Sequence, residues 1–115
     1  MKIALVQMDV VHGYPVENKK HVIEMLEKAL VANPDVIVLP EMWNTGYVLN
    51  ELDGLADKDG LDSQELLSHF ARKHAVAIIG GSVAIEKDGK FYNTTYVYNK
   101  SGDLINTYSK VHLFG

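Results

Sequence analysis

The sequence predicts an α/β fold, a partly parallel sheet with helices between its strands. Short, wholly apolar runs alternate with segments whose apolar residues recur three and four apart, in the order βαβαβ up to residue 79. Beyond that point the pattern changes to two neighbouring strand-like segments around Asp88-Gly89, a strong hairpin signal that adds antiparallel strands. The length of 115 residues is one domain at most, read here as residues 1–115, and the 47% hydrophobic and 23% charged content suits a modest core.

Ile3 to Met8 is an apolar run edged by Lys2 and Asp9, and reads as a buried first strand. Gly13-Tyr14-Pro15 is a break, and Pro15 suits the first turn of a helix because its missing N–H would be unpaired there anyway. Val22, Met25, Leu26, Ala29 and Leu30 then mark one helical face, which Asn33-Pro34 terminates. Val36 to Leu39 is fully apolar, as a strand covered on both faces should be. An irregular stretch follows from Met42 to Leu61. Asp62 and Glu65 stand at capping-box spacing, and Leu66, Leu67, Phe70 and Ala71 share a face of the helix they would open. Val76 to Ile79 is another buried strand, closed by Gly80-Gly81. Val83 to Glu86 and Phe91 to Asn99 form the hairpin, and a turn through residues 99–103 leads into a last strand, Leu104 to Tyr108.

The net charge of −4, with both signs interspersed, excludes a basic nucleic-acid footprint. No apolar run reaches membrane-spanning length, and Gln7 and Asp9 interrupt the N-terminal run too early for a secretory segment. A cytoplasmic protein with no nucleic-acid and no membrane partner is the expectation. There is no cysteine, so disulfides and thiolate metal sites are excluded. The five histidines show no metal-ligand spacing, and no glycine-rich phosphate loop follows the first strand, which disfavours a nucleotide-binding domain. Ser82 after Gly80-Gly81 lacks the second flanking glycine of a nucleophile elbow, so it reads as a close-packed strand end. Tyr92, Tyr96 and Tyr98 share a strand face at period two and should pack against a neighbour.

Two residues remain as candidates for chemistry. Glu41 follows Pro40 at the carboxyl end of an apolar strand, the edge where open α/β sheets place ligands. Its loop, Met42-Trp43-Asn44-Thr45-Gly46-Tyr47, is rich in aromatic and amide groups. Lys110 comes just after the last strand, in the apolar company of Val111, Leu113 and Phe114. By position alone each is more often a solvated structural residue than a catalytic one.

Leu39-Pro40-Glu41-Met42-Trp43-Asn44-Thr45-Gly46-Tyr47 and Tyr108-Ser109-Lys110-Val111-His112-Leu113-Phe114-Gly115 together resemble the glutamate and lysine motifs of the nitrilase superfamily of carbon–nitrogen hydrolases, in that family's order. The opening Lys2-Ile3-Ala4-Leu5-Val6-Gln7-Met8 and the Gly80-Gly81-Ser82 turn are similar to it as well, so the resemblance covers essentially the whole chain. The Glu41 loop most resembles amidases of the omega-amidase type, which act on the side-chain amide of a 2-oxo acid.

The resemblance implies the leading part of a four-layer αββα sandwich and a cysteine-dependent amide hydrolysis with no metal or cofactor. Glu41 would be general base and then acid, Lys110 would stabilise the oxyanion, and the two would pair across the site. The family's cysteine nucleophile lies further along than Lys110 and has no counterpart in residues 1–115. The chain alone is therefore expected to be inactive, with a small-molecule amide as substrate only once the missing segment completes it. A lone half-sandwich would bare one sheet face and a strand edge, so a homo-oligomer is expected. The alternative is a non-catalytic α/β module that keeps the fold for association.

Overall fold

The computed structural model describes residues 1–47 and 54–111. It holds β1 (Ile3–Leu5), α1 (Pro15–Leu30), β2 (Val36–Val38), β3 (Asp57–Lys58), α2 (Leu61–His74), β4 (Ala77–Ile79), β5 (Val83–Lys87), β6 (Lys90–Tyr98) and β7 (Leu104–Val111). All the strands join one mixed sheet in the order β1-β2-β4-β6-β5-β3, with β7 on the other edge of β6. β1, β2 and β4 run parallel, as crossover helices require, whereas β6 pairs antiparallel with β4, β5 and β7. β4 and β5 thus line up end to end along β6, and Gly80-Gly81-Ser82 is the kink between them.

Pro15 opens α1 as expected, and Val22 and Leu26 from its apolar face are fully buried. α2 contributes Leu67, Phe70 and Ala71 to the same core, against Ile37, Ile78, Val83, Ile85, Tyr96 and Tyr98 of the sheet. Tyr96 and Tyr98 are buried there and Tyr92 packs partly against them, so the period-two tyrosines do meet a neighbour. Burial pushes the Tyr98 phenol up to about 12, with the nearby Tyr96 adding to the shift. Lys19 and Asp62 tie the two helices together at 2.8 Å.

Four sequence expectations change. β1 is shorter than expected and not buried: Ile3 and Leu5 are exposed, and only Val6, just past it, reaches the core. The capping box at Asp62 and Glu65 does not form, because α2 starts two residues earlier with Gly60 at its cap. The Asp57 carboxylate does that work instead, accepting the Asp62 and Ser63 N–H groups at 3.2 and 2.7 Å. The irregular stretch before α2 contains β3, which pairs parallel with β5. Lastly β7 continues through Val111, which places Lys110 inside the strand rather than after it.

Register assigns each side chain to a face, since directly paired residues project to the same side. Ile37, Ile78 and Tyr98 share the helix-covered face. Ile3, Leu5, Val36, Val38, Ala77, Ile79 and Val97 therefore share the opposite one. Leu5 is 72% exposed and Ile79 40%, and both described helices lie on the other side. Among the described residues the sheet is covered on one face and open on the other.

Candidate active site

The Glu41 turn is built on the carboxyl end of β2. Leu39 still pairs with the sheet, its N–H donating to the Ile79 carbonyl at 3.0 Å. The chain then turns through residues 41–45, and Met42 has a φ of +50° while completely buried. A left-handed conformation in a residue with a Cβ costs about 1–2 kcal/mol and persists only where surrounding bonds enforce it.

Those bonds come from the β4–β5 kink. Ser82 Oγ accepts the Met42 N–H at 2.9 Å, and the Ser82 carbonyl accepts the Trp43 N–H at 3.1 Å. The Ser82 N–H in turn donates to the Pro40 carbonyl at 3.2 Å. Trp43, almost completely buried, donates its indole N–H to the Gly80 carbonyl at 2.9 Å. Gly81, with a φ of +62°, is needed because the Leu39 and Pro40 carbonyls occupy the space a Cβ would take.

Amide side chains extend the grip. Asn44 pairs with the backbone of Ala84 twice at 2.9 Å, accepting its N–H through Oδ1 and donating to its carbonyl through Nδ2. Asn18 of α1, wholly buried, donates to the Asn44 and Val11 carbonyls and accepts the Val11 N–H, each at 2.8 Å. A buried amide with all these partners satisfied is rigid, and loss of one partner would strand a desolvated group. α1, the loop after β1, the Glu41 turn and β5 are thereby locked together.

Glu41 itself is exposed, and Tyr47 Oη donates to its Oε2 at 2.8 Å. That hydrogen bond, with partial burial and the carboxylate's charge, raises the Tyr47 phenol above its ordinary 10.0. Met42, the next residue, packs on Ala84, whose cross-strand neighbour is Asn93, whose own neighbour on β7 is Lys110. Ala84, on which Met42 packs, and Lys110 thus project to the open face of the sheet from strands two inter-strand spacings apart, roughly 10 Å.

The expected pairing of Glu41 with Lys110 does not occur. Among the described residues the ion pairs are Lys19–Asp62 and Lys100–Asp35. Lys110 is exposed on β7, which has β6 on one side. His112, Leu113, Phe114 and Gly115 of the lysine motif lie outside the described residues. Among the described residues His12 comes to the end of the Glu41 turn, its imidazole facing Gly46. A groove of about 650 Å³ lies on the opposite face of the sheet, lined by Ile85, Tyr92, Thr94, Tyr96 and Ser109, and includes neither Glu41 nor Lys110. The described residues contain no cluster of metal-ligating side chains and no helix long and apolar enough to cross a membrane.

Sequence reasoning missed Ser82, Asn44, Asn18 and Tyr47 as parts of this site. The local signals were the amide- and aromatic-rich composition of residues 42–47 and the likeness of the Gly80-Gly81-Ser82 turn to the family, neither of which gives these side chains a role.

Comparison with known proteins gives the family. The pattern of the family described as Carbon-nitrogen hydrolase matches residues 2–115. The chain is 46% identical over 112 residues to a 2-oxoglutaramate amidase of Bacillus subtilis, covering 97% of this chain and 43% of that protein. It is 33% identical over 113 residues to an omega-amidase of Danio rerio, again covering 98% of this chain but 40% of the relative. Among solved structures, Nit3 of Saccharomyces cerevisiae, a member of branch 10 of the nitrilase superfamily, superposes with a TM-score of 0.84 at 29% identity, over 99% of this chain and 45% of that one. An amidase from Nesterenkonia shares the fold at a TM-score of 0.80 and 23% identity, over 100% and 44%. The chain spans less than half the length of these relatives. Its single sheet with helices on one face supplies two of the four layers of the αββα sandwich. This chain belongs to the carbon-nitrogen hydrolase family of the nitrilase superfamily.

Proposed function

We propose that this chain is the leading portion of an amidase for small carboxamides, with Glu41 as general base and Lys110 as oxyanion donor. The observation that carries the reading is the sheet face left open among the described residues, which bears Lys110 and also Ala84, the seat of Met42 in the rigid Glu41 turn. A cysteine thiol from outside residues 1–115 would give its proton to Glu41 and attack the amide carbon. The resulting oxyanion would face the Lys110 ammonium, in the way preorganised donors stabilise developing charge. Glu41 would return the proton to the departing ammonia, and water would then release the acid from the thioester. The likeness to 2-oxoglutaramate and omega-amidases supports the terminal amide of a 2-oxo acid as substrate. The proposed steps use no metal or cofactor.

Ammonia release from 2-oxoglutaramate tests this. The chain alone, which has no cysteine, should release none, since residual catalysis without a nucleophile is small. Mixed or fused with a segment carrying the nucleophile, it should turn over. Turnover by the chain alone, or none by a folded, completed protein, would refute the proposal.

The open face favours a second reading, association. A patch bearing Ile3, Leu5 and Ile79 exposes apolar area that a lone soluble domain seldom leaves uncovered. We expect the isolated chain to be a dimer or larger by light scattering at micromolar concentration. A monomer that stays monomeric there counts against it.

A further inference from the structure

We propose that Ser82 is the positioning residue for Glu41, gripping the backbone on both sides of it and so fixing the direction in which its carboxylate leaves the turn. The inference rests on the reading of Glu41 as the reaction's base.

Ser82 makes three hydrogen bonds to the turn, and they bracket Glu41. Its N–H reaches Pro40, the residue before; its hydroxyl and its carbonyl reach Met42 and Trp43, the two residues after. None of them involves the Glu41 side chain, which stays available for proton transfer. Two of the bonds use the backbone and do not depend on the side chain, proline excepted. The third depends on the hydroxyl, and it holds the N–H of Met42, the residue in the left-handed conformation. Without that acceptor the Met42 N–H is buried and unpaired, and Met42 gains by leaving positive φ. Rotation there turns the Glu41–Met42 peptide and swings the carboxylate relative to Tyr47, whose hydroxyl reaches Glu41 across the same turn. Ser82 lies 40 residues from Met42 in sequence, so the kink between β4 and β5 is what brings the hydroxyl to bear.

Tyr47 is a built-in reporter of this geometry, and Tyr98 is an internal control. In the chain as it stands, with ¹³Cζ-labelled tyrosine, Tyr47 can be assigned by its disappearance in Tyr47→Phe. Its phenol should ionise above 10.0 because of the Glu41 hydrogen bond, while buried Tyr98 should ionise at about 12. Ser82→Ala should return Tyr47 toward 10.0 and leave Tyr98 in place; Ser82→Thr, which keeps the hydroxyl, should leave both where they were. Tyr47 unmoved in a folded Ser82→Ala protein, with Tyr98 unchanged, overturns the proposal.

If Ser82→Ala fails to fold in isolation and Tyr98 falls as well, the protein completed with its nucleophile segment decides. There Ser82→Ala should lower kcat by about 10–100-fold at unchanged KM, the scale of a misplaced catalytic group. Ser82→Thr should restore it. No loss, or an equal loss in both variants, overturns the proposal. Failure of the base reading has a separate signature, retained activity in Glu41→Gln.

Discussion

Glutamine at position 41 should abolish most of the activity of the completed protein while leaving the fold intact. Glu41 is exposed, and its structural contact is the hydrogen bond received from Tyr47, which a glutamine carbonyl can still accept, though without the carboxylate's charge. The turn is held by Ser82, Trp43 and Asn44 rather than by the carboxylate, so the backbone has no reason to move. What disappears is the capacity to take a proton. General-base catalysis contributes about 10²–10⁴-fold, and a fall in kcat of that size is expected, with the thermal midpoint nearly unchanged. Steady-state ammonia release paired with thermal unfolding separates the two effects. Activity within about threefold of the parent would remove Glu41 from the mechanism, because a lost general base costs at least two orders of magnitude.

Gly81→Ala should have the largest effect on the fold. Alanine at a φ of +62° is strained by about 1–2 kcal/mol. Its Cβ also enters space held by the Leu39 and Pro40 carbonyls, backbone that cannot step aside as a flexible side chain would. Overpacking of this kind adds about 1–3 kcal/mol, for a total of roughly 2–5 kcal/mol. That is a large share of a small domain's stability of about 5–15 kcal/mol. Gly89→Ala is the matched control: its φ is +76°, but nothing lies within 4 Å of the added Cβ, so only the strain remains. Urea unfolding should show Gly81→Ala destabilised well beyond Gly89→Ala. Equal losses would mean that the β4–β5 kink and the Glu41 turn are less tightly joined than the hydrogen bonds imply.

Both predictions concern a single joint in the molecule. The Glu41 turn does not stand on its own sequence; it is pressed against Gly80-Gly81-Ser82 and held there by side chains from α1 and backbone from β5. The Glu41 side chain is exposed, while the peptide that carries it is fixed. That division suits a base that must meet groups arriving on the open face of the sheet.

The comparison of sequence with structure divides along the range of the interaction. Pro15 opened α1 because a proline N–H is not missed in a first turn, a property that needs no partner elsewhere. Asp88-Gly89 closed the β5–β6 hairpin because both residues accept positive φ, at 52° and 76°. The apolar faces of α1 and α2 were correct to the residue at Val22, Leu26, Leu67, Phe70 and Ala71. Glu41 and Lys110 were singled out by motif, and β-sheet register puts Lys110 on the same face as Ala84, on which Met42 packs.

Interactions that cross the fold escaped that reading. Periodicity told that Ile3 and Leu5 are apolar, yet not that the face they share with Val38 and Ile79 would be open. Glu65 has capping-box spacing, but Asp57 reached the helix end first because β3 delivers its carboxylate there. Ser82 stood out only as part of the Gly80-Gly81-Ser82 turn, and its hold on the Glu41 turn gave no signal, since its three bonds to residues 40, 42 and 43 exist only when two strand ends meet.

The sequence by itself therefore determined the two helices, the main strands with their order, and the family, all of which rest on local backbone preference, side-chain period or motif. Tertiary structure alone decided which sheet face is covered, how the Glu41 turn is clamped and that Glu41 and Lys110 stand apart. Each of those depends on groups dozens of residues apart arriving within about 3 Å at a definite angle, and hydrogen-bond geometry of that kind is set by packing rather than by composition.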